Sequence, residues 1–470
     1  MKKKYEISEF GLIRSLNDYP EIDPLKKSLK EIYLPENHFN DLYEFVIENQ
    51  EENKDSEVMF SLFRKGKKLQ IKTKNYVGVI ETSKGLTLEI LPKITTGYEN
   101  VNFESELIIT KKIFFKMLSK FKNSPFNIGS AHLKTSSNIP LLEIFIDNYI
   151  NEIKKIIRVG IRSQYVINQE NLSFLKGKTL ASLNIKHNHS NKARFYCEFD
   201  DFSQNAVHNK LIKSTLLKLN KISKSHSNRT NIYQLLHYFD SIDESKDFIN
   251  DLKKINIDNR LFANYKNAIS LSEVFLTNKS FTNFSGDSKN IAILFPMERV
   301  FEDYIGYLMK KYADGYEIKT QDMSYHLVSD HKNKEKFGLR PDIVATNISN
   351  HNRIIFDAKW KLLDESKERG NYSISQSDMY QLYAYGKKYA LDDSSEDKEP
   401  ELVLLYPSNP NFKNALEKFI YDGGLTLNVI PFDLNKSLSN EDEKKEVTKI
   451  FDIAAKFNSN DCQDNNQIAL

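Results

Sequence analysis

The sequence predicts an α+β protein of several domains, because the spacing of apolar residues changes twice along its 470 residues. Up to about Pro92, short apolar or alternating runs lie between turns, which is typical of strands. From residue 101 to 285 the spacing is mainly helical, with a short β-like insert. After residue 285, a helix, a hairpin and a second helix follow one another, which indicates a C-terminal α/β domain.

The N-terminal domain, residues 1–100, is predicted to be β-rich. Residues 69–73 alternate between apolar and polar types. Residues 76–80 and 86–91 flank a turn that contains Gly85, which predicts a hairpin. The first 60 residues show no pattern that would assign them to a type of structure or to a family.

The remaining chain divides into a middle region over 101–285, a third unit over 286–457 and a tail over 458–470. In the middle region we predict helices, and between them an insert with strand-like spacing; the helices cover residues 105–122, 141–162 and 205–277, and the insert covers 174–202. The polar stretch 280–288 is the best linker into the third unit. The polar tail is expected to be disordered.

Composition narrows the possible classes of protein. The chain is 40% hydrophobic and 28% charged, which is ordinary for a protein with real cores. With a net charge of only +3, any surface that binds nucleic acid must be a local patch. Two distant cysteines, Cys197 and Cys462, exclude a disulfide framework. No signal-peptide or membrane-spanning segment is evident, so we expect a cytoplasmic protein.

The most informative residues are two aspartates and a lysine in the third unit. Asp342 follows Pro341, and Asp357 comes fifteen residues later, two positions before Lys359. The apolar runs around them, separated by the turn-rich segment 346–352, predict a β-hairpin. Because residues i and i+2 of a strand share a face, Asp357 and Lys359 should project together, with Asp342 on the neighbouring strand.

This residue set fits a Mg²⁺ site that hydrolyses phosphodiesters. Two carboxylates suit Mg²⁺, which prefers oxygen ligands and keeps several waters. A water near Lys359 could then attack a phosphodiester while the metal stabilises the developing charge. The structural alternative is a simple ion pair between Asp357 and Lys359 at a strand edge.

The layout resembles the PD-(D/E)xK nucleases. Many RecB-like members carry Gln-x-x-x-Tyr on a helix after the Asp-x-Lys strand, and Gln381 and Tyr385 have this spacing. Members often carry a glutamate on the preceding helix, for which Glu302 is the candidate. The alternatives are a surface glutamine beside an aromatic core stripe and a solvated helix carboxylate.

Two other motifs carry less information. Gly177-Lys178-Thr179 resembles the end of a phosphate-binding loop, but Leu172 stands where that loop needs glycine. His187 and His189 lack a Cys or acidic partner at ligand spacing, so a solvated or phosphate-facing loop is the better interpretation. Because the surrounding insert is basic, contact with a nucleic-acid backbone is a secondary hypothesis.

The chain also resembles the McrC family, the nuclease subunit of McrBC-type (5-methylcytosine-specific) restriction systems. Segments with this resemblance occur in the same order along the chain; they are residues 75–80 with 88–94, residues 174–178 with 194–203, and residues 294–304 with Pro341-Asp342, Asp357-Ala358-Lys359 and residues 380–385. Together they span residues 70 to 410, approximately, and are more specific than the nuclease motif alone.

The resemblance implies a division of labour. McrC-like proteins dock through their N-terminal half, here the N-terminal domain with the middle region, onto a hexameric AAA+ GTPase, the McrB-like partner. That partner recognises modified cytosine in double-stranded DNA. On this basis Asp342, Asp357 and the carbonyl of Ala358 would ligate Mg²⁺, and Lys359 would orient the attacking water or stabilise the transition state. Glu302 and Gln381 are further catalytic candidates.

Three other functions stay open at this point. The chain could be a stand-alone RecB-like nuclease in defence or repair, cutting DNA with Mg²⁺ alone. It could be a non-catalytic activator of the GTPase, although an intact Asp342, Asp357 and Lys359 argues against this. It could also be a structural adaptor, in which case Asp357→Ala would leave every activity unchanged.

Overall fold

A computed structural model describes most of the chain. The described ranges are 3–22, 28–52, 59–82, 84–95, 102–122, 124–126, 139–255, 260–277, 290–390, 399–437 and 439–460. The predicted linker over 280–288, the predicted domain boundaries at 100 and 285, and residues 461–470 of the predicted tail lie outside these ranges. The described part is a mixed α+β structure with several sheets, as the sequence predicts.

Two four-stranded sheets form the N-terminal part. In spatial order, the first sheet contains β3 (Glu31–Leu34), β2 (Leu12–Ser15), β5 (Lys68–Thr73) and β4 (Phe60–Lys65). The second contains β1 (Lys3–Ser8), β7 (Leu86–Leu91), β6 (Tyr76–Glu81) and β11 (Ile291–Pro296). The predicted β6–β7 hairpin is confirmed. Within the first 60 residues, to which no pattern was assigned, Glu36–Glu52 forms helix α1, which buries Phe39, Leu42 and Phe45.

Strand β11 ties the N-terminal sheet to the C-terminal part of the chain. It pairs antiparallel with β6, and Leu294 lies opposite Gly78. A Cβ atom at Gly78, where φ is +149°, would lie 1.9 Å from the carbonyl oxygen of Ile293. Only glycine therefore allows this close approach. Because helix α9 (Met297–Tyr312) begins directly after β11, the sheet fixes where that helix starts.

The middle region is mainly helical, as predicted. Its described helices are α2 (Phe103–Leu118), α3 (Leu141–Val159), α4 (Ala181–Asn188), α5 (Val207–Ile222), α6 (His226–His237), α7 (Phe248–Lys254) and α8 (Lys266–Thr277). The insert starts earlier than predicted and includes a helix. Its sheet has the order β8 (Gln164–Leu172), β10 (Phe195–Ser203), β9 (Lys178–Thr179), with α4 between β9 and β10. No helix in the described ranges has the length and apolar character needed to cross a membrane.

A six-stranded sheet organises the C-terminal part. Its order is β12 (Tyr316–Thr320), β15 (Ile343–Asn347), β16 (Arg353–Ala358), β17 (Glu401–Pro407), β19 (Thr426–Phe432) and β18 (Phe419–Ile420). Strands β13 (His326–Ser329) and β14 (Glu335–Gly338) form a separate pair. The predicted hairpin is confirmed, because β15 and β16 are antiparallel. On its other side β16 pairs parallel with β17, so β16 is an inner strand.

Helices cover both faces of this sheet. Helix α9 and the last helix, α11 (Asn440–Asn460), share a core with Phe356 of β16. Helix α10 (Gln376–Ala390) packs through Leu382 against Ile355 on the opposite face. Residues 458–460, which we expected to be part of a disordered tail, form the end of α11. The two faces place α9 and α10 on either side of the end of β16.

Candidate active site

The hairpin brings the predicted acidic residues together. Ile343 pairs with Phe356, so the register places Asp342 opposite Asp357. The Oδ2 atom of Asp342 accepts a hydrogen bond from the backbone N–H of Ala358 at 2.8 Å. Lys359 projects on the same side as Asp357, and its Nζ lies 2.7 Å from Asp357 Oδ2. The sequence therefore located all three side chains at one end of the hairpin.

Asp357 is not part of a solvated ion pair at a sheet edge. It lies on an inner strand, opposite Leu404 of β17, and is 0% exposed. Apart from the ion pair with Lys359, its two carboxylate oxygens accept no hydrogen bond from the described residues. A buried carboxylate with so few partners is costly unless a cation shares the site. The burial thus favours a functional interpretation of Asp357.

Glu302 reaches the same site from helix α9 through a residue that sequence reasoning missed. Gln321, just after β12, donates side-chain hydrogen bonds to Glu302 Oε1 and, at 3.3 Å, to Asp342 Oδ1. Its backbone N–H also bonds the carbonyl of Asp342 at 2.9 Å. A left-handed backbone (φ +55°) directs Gln321 out of the strand. No local signal in the sequence marks this glutamine.

Gln381 holds the catalytic candidate Lys359 from the opposite face of the sheet. Its Oε1 accepts a hydrogen bond from Lys359 Nζ at 3.3 Å, and its Nε2 donates to the hydroxyl of Tyr385 at 2.7 Å. Tyr385 in turn donates to the carbonyl of Arg340 at 3.1 Å. The Gln-x-x-x-Tyr spacing therefore connects Lys359 to the segment that carries Asp342.

Burial, more than any other cause, raises the pKa values of the three carboxyl groups of the site. Burial, followed by repulsion from Asp357 and Glu302, raises the pKa of Asp342 well above its ordinary value. Burial raises the pKa of Asp357, although the charge of Lys359 offsets part of this. Burial and neighbouring acids raise the pKa of Glu302. Burial alone would lower the pKa of Lys359, but its interactions with Asp357, Asp342 and Asp378 together outweigh burial and raise the pKa. The site has more negative charge than its lysine compensates.

The oxygen donors of the site suit a divalent cation. Among the described residues, no three His, Cys, Asp or Glu side chains are grouped so that they could hold a metal ion. The predicted ligands are instead two carboxylates, Asp342 and Asp357, and the backbone carbonyl of Ala358. All three are oxygen donors, and the excess negative charge and the under-bonded Asp357 favour a cation between them. These residues fit Mg²⁺ with water completing its shell.

A cleft of about 590 Å³ opens onto the site, and residues of the N-terminal part share its wall. Its lining combines basic, acidic and amide side chains from both parts of the chain: Lys74, Asn75, Tyr76, Pro296, Glu298, Arg299, Glu302, Asp342, Ala358, Lys359, Lys361 and Asp378. Asn75 donates to Glu298 Oε1 at 3.0 Å, which joins the two walls. Basic side chains beside an acidic centre suit a phosphodiester backbone. Sequence reasoning did not anticipate that the N-terminal part contributes to this cleft.

His187 of the insert packs against an aromatic ring. His187 stacks on Tyr196, with ring centroids 5.1 Å apart. Lys176 lies 3.8 Å from the ring centroid of Phe199. The insert also exposes large apolar side chains, including Tyr165 and Ile185. Contact of the insert with DNA or with a protein partner stays a prediction.

The fold and the site together define a mixed α+β protein with an acidic, lysine-containing centre in a partly basic cleft. The family described as "McrBC 5-methylcytosine restriction system component" matches residues 71–407, well over half of the chain. The chain therefore belongs to this family, which confirms the expected resemblance.

One solved structure shows the same overall fold, and a second is similar over a smaller part of the chain. A chain of the refined half-complex from the tetradecameric assembly of Thermococcus gammatolerans McrB AAA+ hexamers with bound McrC is similar over 95% of this chain and 100% of that chain, with a TM-score of 0.66 and 16% identity. A chain of the Thermococcus gammatolerans McrBC complex, determined by cryo-EM, matches over 67% of this chain and 89% of that chain, with a TM-score of 0.47 and 16% identity. A comparison with curated protein sequences gave no match.

Proposed function

We propose that this chain is the nuclease subunit of a GTP-driven McrBC-type restriction complex, and that its C-terminal unit is a PD-(D/E)xK domain that hydrolyses DNA phosphodiesters with Mg²⁺. The observation that carries the proposal is the buried Asp357, which faces Asp342 across the hairpin and Lys359 at 2.7 Å. A structural adaptor would not need a cluster of buried carboxylates whose negative charge exceeds the positive charge of Lys359 at the end of a cleft.

Asp342, Asp357 and the carbonyl of Ala358 would hold the cation. When bound, Mg²⁺ supplies charge stabilisation at the phosphate and lowers the pKa of a water. Lys359 is held by Asp357 and Gln381, so its ammonium group has a fixed position from which to orient the attacking water or stabilise the developing negative charge. Glu302, joined to Asp342 through Gln321, would orient water or complete the outer shell of the cation.

The cleft supports a nucleic-acid substrate. Lys74 and Arg299 lie on its wall next to the acidic centre, and both can contact backbone phosphates. Since the formal net charge of the whole chain is only +3, attraction to DNA would be local to this cleft and to the basic insert. We infer that the chain does not select the DNA site itself.

The proposed partner is an AAA+ GTPase of the McrB type, assembled as a hexamer. Family membership and similarity to a chain from McrB AAA+ hexamers with bound McrC support this partner. The partner would recognise methylated double-stranded DNA and hydrolyse GTP, and the N-terminal and middle regions of this chain would dock onto it. Stimulation of GTP hydrolysis would then be a second activity that does not require Asp357.

The test is DNA cleavage by this chain co-purified with its AAA+ partner, with Mg²⁺, with and without GTP. Methylated and unmethylated plasmids are compared for wild type, Asp357→Asn and the control Asp314→Asn. Asp314 is an exposed aspartate of the same unit, paired with Lys444. Cleavage that requires GTP and is lost only in Asp357→Asn supports the proposal.

The other outcomes separate the alternatives. Cutting without GTP or partner would instead indicate a stand-alone nuclease. Absence of cutting with GTPase stimulation intact in all three proteins would indicate an activator and refute the catalytic assignment. Equal cutting by wild type and Asp357→Asn would also refute it.

A further inference from the structure

Trp360, the single tryptophan of the chain, follows Lys359 directly and is held on several sides. It is 1% exposed, and its ring packs against Phe301 of α9, with centroids 5.3 Å apart. Its indole N–H donates to Glu9 Oε2 at 2.8 Å. Its backbone carbonyl accepts a hydrogen bond from Lys93 Nζ at 3.1 Å. Both the side chain and the main chain of Trp360 are therefore fixed by the N-terminal part.

The two residues that hold Trp360 come from neighbouring strand ends. Glu9 follows β1 and Lys93 follows β7, and these strands pair in parallel. The backbone N–H of Glu9 bonds the carbonyl of Leu91 at 2.9 Å, and that of Lys93 bonds Glu9 Oε2 at 3.3 Å. Because parallel strands end at the same sheet edge, both side chains emerge together. We name Glu9, Lys93 and Trp360 the Trp360 clamp.

The clamp acts on the backbone immediately after Lys359. On one side, the N–H of Lys359 bonds the carbonyl of Leu405 in β17 at 2.8 Å. On the other side, the next residue is held by Glu9 and Lys93. The direction of the Lys359 side chain depends on this backbone, since a small rotation would move Nζ away from Asp357.

Burying Glu9 and Lys93 costs folding free energy. Glu9 is 2% and Lys93 is 8% exposed. Burial raises the pKa of Glu9 to about 7 and lowers the pKa of Lys93, although each is offset by the charge of the other. The second carboxylate oxygen of Glu9, Oε1, accepts no hydrogen bond from the described residues. Apolar residues of similar size are often as stable as two buried groups of opposite charge, so packing alone does not explain a clamp of this composition.

We infer that Glu9 and Lys93 are positioning residues for the proposed nuclease reaction: through Trp360 they set the backbone that aims Lys359. The inference rests on the proposed function. On this inference the N-terminal sheet helps to position a catalytic residue. A shift of the sheet edge would move Trp360, and Trp360 directly follows Lys359.

The experiment uses the full chain with its AAA+ partner and compares Glu9→Leu, Glu9→Gln and Lys93→Met. Glu9→Leu removes the acceptor for Trp360, while Glu9→Gln keeps an oxygen that can accept the indole N–H. The matched controls are Glu44→Leu and Lys84→Met, an exposed ion pair of the N-terminal part. Single-turnover cleavage, stimulated GTP hydrolysis and the fluorescence emission of Trp360 are measured for each protein.

We expect the cleavage rate constant of Glu9→Leu and Lys93→Met to fall by about 10-fold or more, with GTPase stimulation and apparent DNA affinity within about twofold of wild type. The Trp360 emission should change in both variants and not in the controls. Glu9→Gln should restore most of the rate that Glu9→Leu loses. This combination separates positioning from a general loss of structure, which would lower cleavage and GTPase stimulation together.

Two results would overturn the inference. One is a changed Trp360 emission with cleavage within about twofold of wild type. The other is a parallel loss of cleavage and GTPase stimulation that Glu9→Gln does not rescue. If the wild-type complex itself fails to cleave DNA, the proposed function is what fails, whereas a cleaving wild type with equally active variants refutes the clamp alone.

Discussion

Replacing Glu9 by glutamine should change how the stability of the chain depends on pH. Burial raises the pKa of Glu9 from 4.5 to about 7 in the folded chain. At about 1.4 kcal/mol per pH unit, this difference corresponds to about 3 kcal/mol of unfolding free energy. Since the folded-state pKa is the higher one, the stabilisation is fully present below about pH 4.5 and is lost as pH rises through about 7.

The difference is measured from just above the unfolded-state pKa to just above the folded-state pKa. From about pH 5 to about pH 7.5, wild type should lose about 2 kcal/mol of unfolding free energy relative to Glu9→Gln, which has no proton to release. Other titrating groups are common to both proteins, so their contributions cancel in the difference. The stability of the glutamine variant relative to wild type is therefore expected to be higher at neutral pH than at pH 5.

The assay is urea unfolding followed by the emission of Trp360, which contacts Glu9 directly. The control is Glu44→Gln, which removes an exposed carboxylate of the same part of the chain. A stability difference between wild type and Glu9→Gln that stays constant from about pH 5 to about pH 7.5 would refute the assigned burial of this carboxylate.

Three further predictions concern the site and the fold. Asp357→Asn should abolish cleavage. It should also raise the melting temperature of the metal-free chain, because it removes a buried charge that repels Asp342. An unchanged or lower melting temperature would contradict this explanation. Mg²⁺ at about 100 times its Kd should stabilise wild type by about 3 kcal/mol and leave Asp357→Asn unaffected, and an equal thermal shift in both would place the ion elsewhere. Gly78→Ala should cost about 2 kcal/mol or more in urea unfolding, because its Cβ would meet the Ile293 carbonyl at 1.9 Å. The milder control is Gly66→Ala, which also has positive φ but no atom within 4 Å of the added Cβ; equal losses would contradict the steric explanation.

The sequence predicted the hairpin and its three chemical side chains well. Asp342, Asp357 and Lys359 lie within eighteen residues of one another and interrupt strongly apolar runs, so local periodicity was enough to locate them. The spacing of Gln381 and Tyr385 also predicted correctly that they share one helix face. Their catalytic roles stay predictions.

Elements with weak local patterns were missed. Strand β8 is largely polar and its residues are exposed or partly exposed, so no alternation marks its start at Gln164. Helix α4 contains asparagine, serine and histidine, which are weak helix formers, and buries only Asn188. Helix α1 lies within the first 60 residues, which show no clear pattern. Its place in the fold becomes evident only from the packing of its apolar face in the core.

Contacts between distant parts of the chain could not be predicted from one sequence. The Glu9–Trp360 hydrogen bond joins residues 351 positions apart, and Lys93 reaches Trp360 across 267 positions. Gln321 becomes part of the site only because β12 pairs with β15. Such contacts depend on how sheets and strands assemble, which local propensity does not encode.

The most direct test of the central claim is the single-turnover rate of DNA cleavage by the complex with Mg²⁺ and GTP, compared between wild type and Lys359→Met. Lys359 is held in the site by Asp357 and Gln381, and methionine preserves much of its length without the charge. We expect a loss of about 100-fold or more with DNA binding and GTPase stimulation retained. A Lys359→Met complex that cleaves at the wild-type rate would contradict the assignment of this hairpin as the nuclease centre.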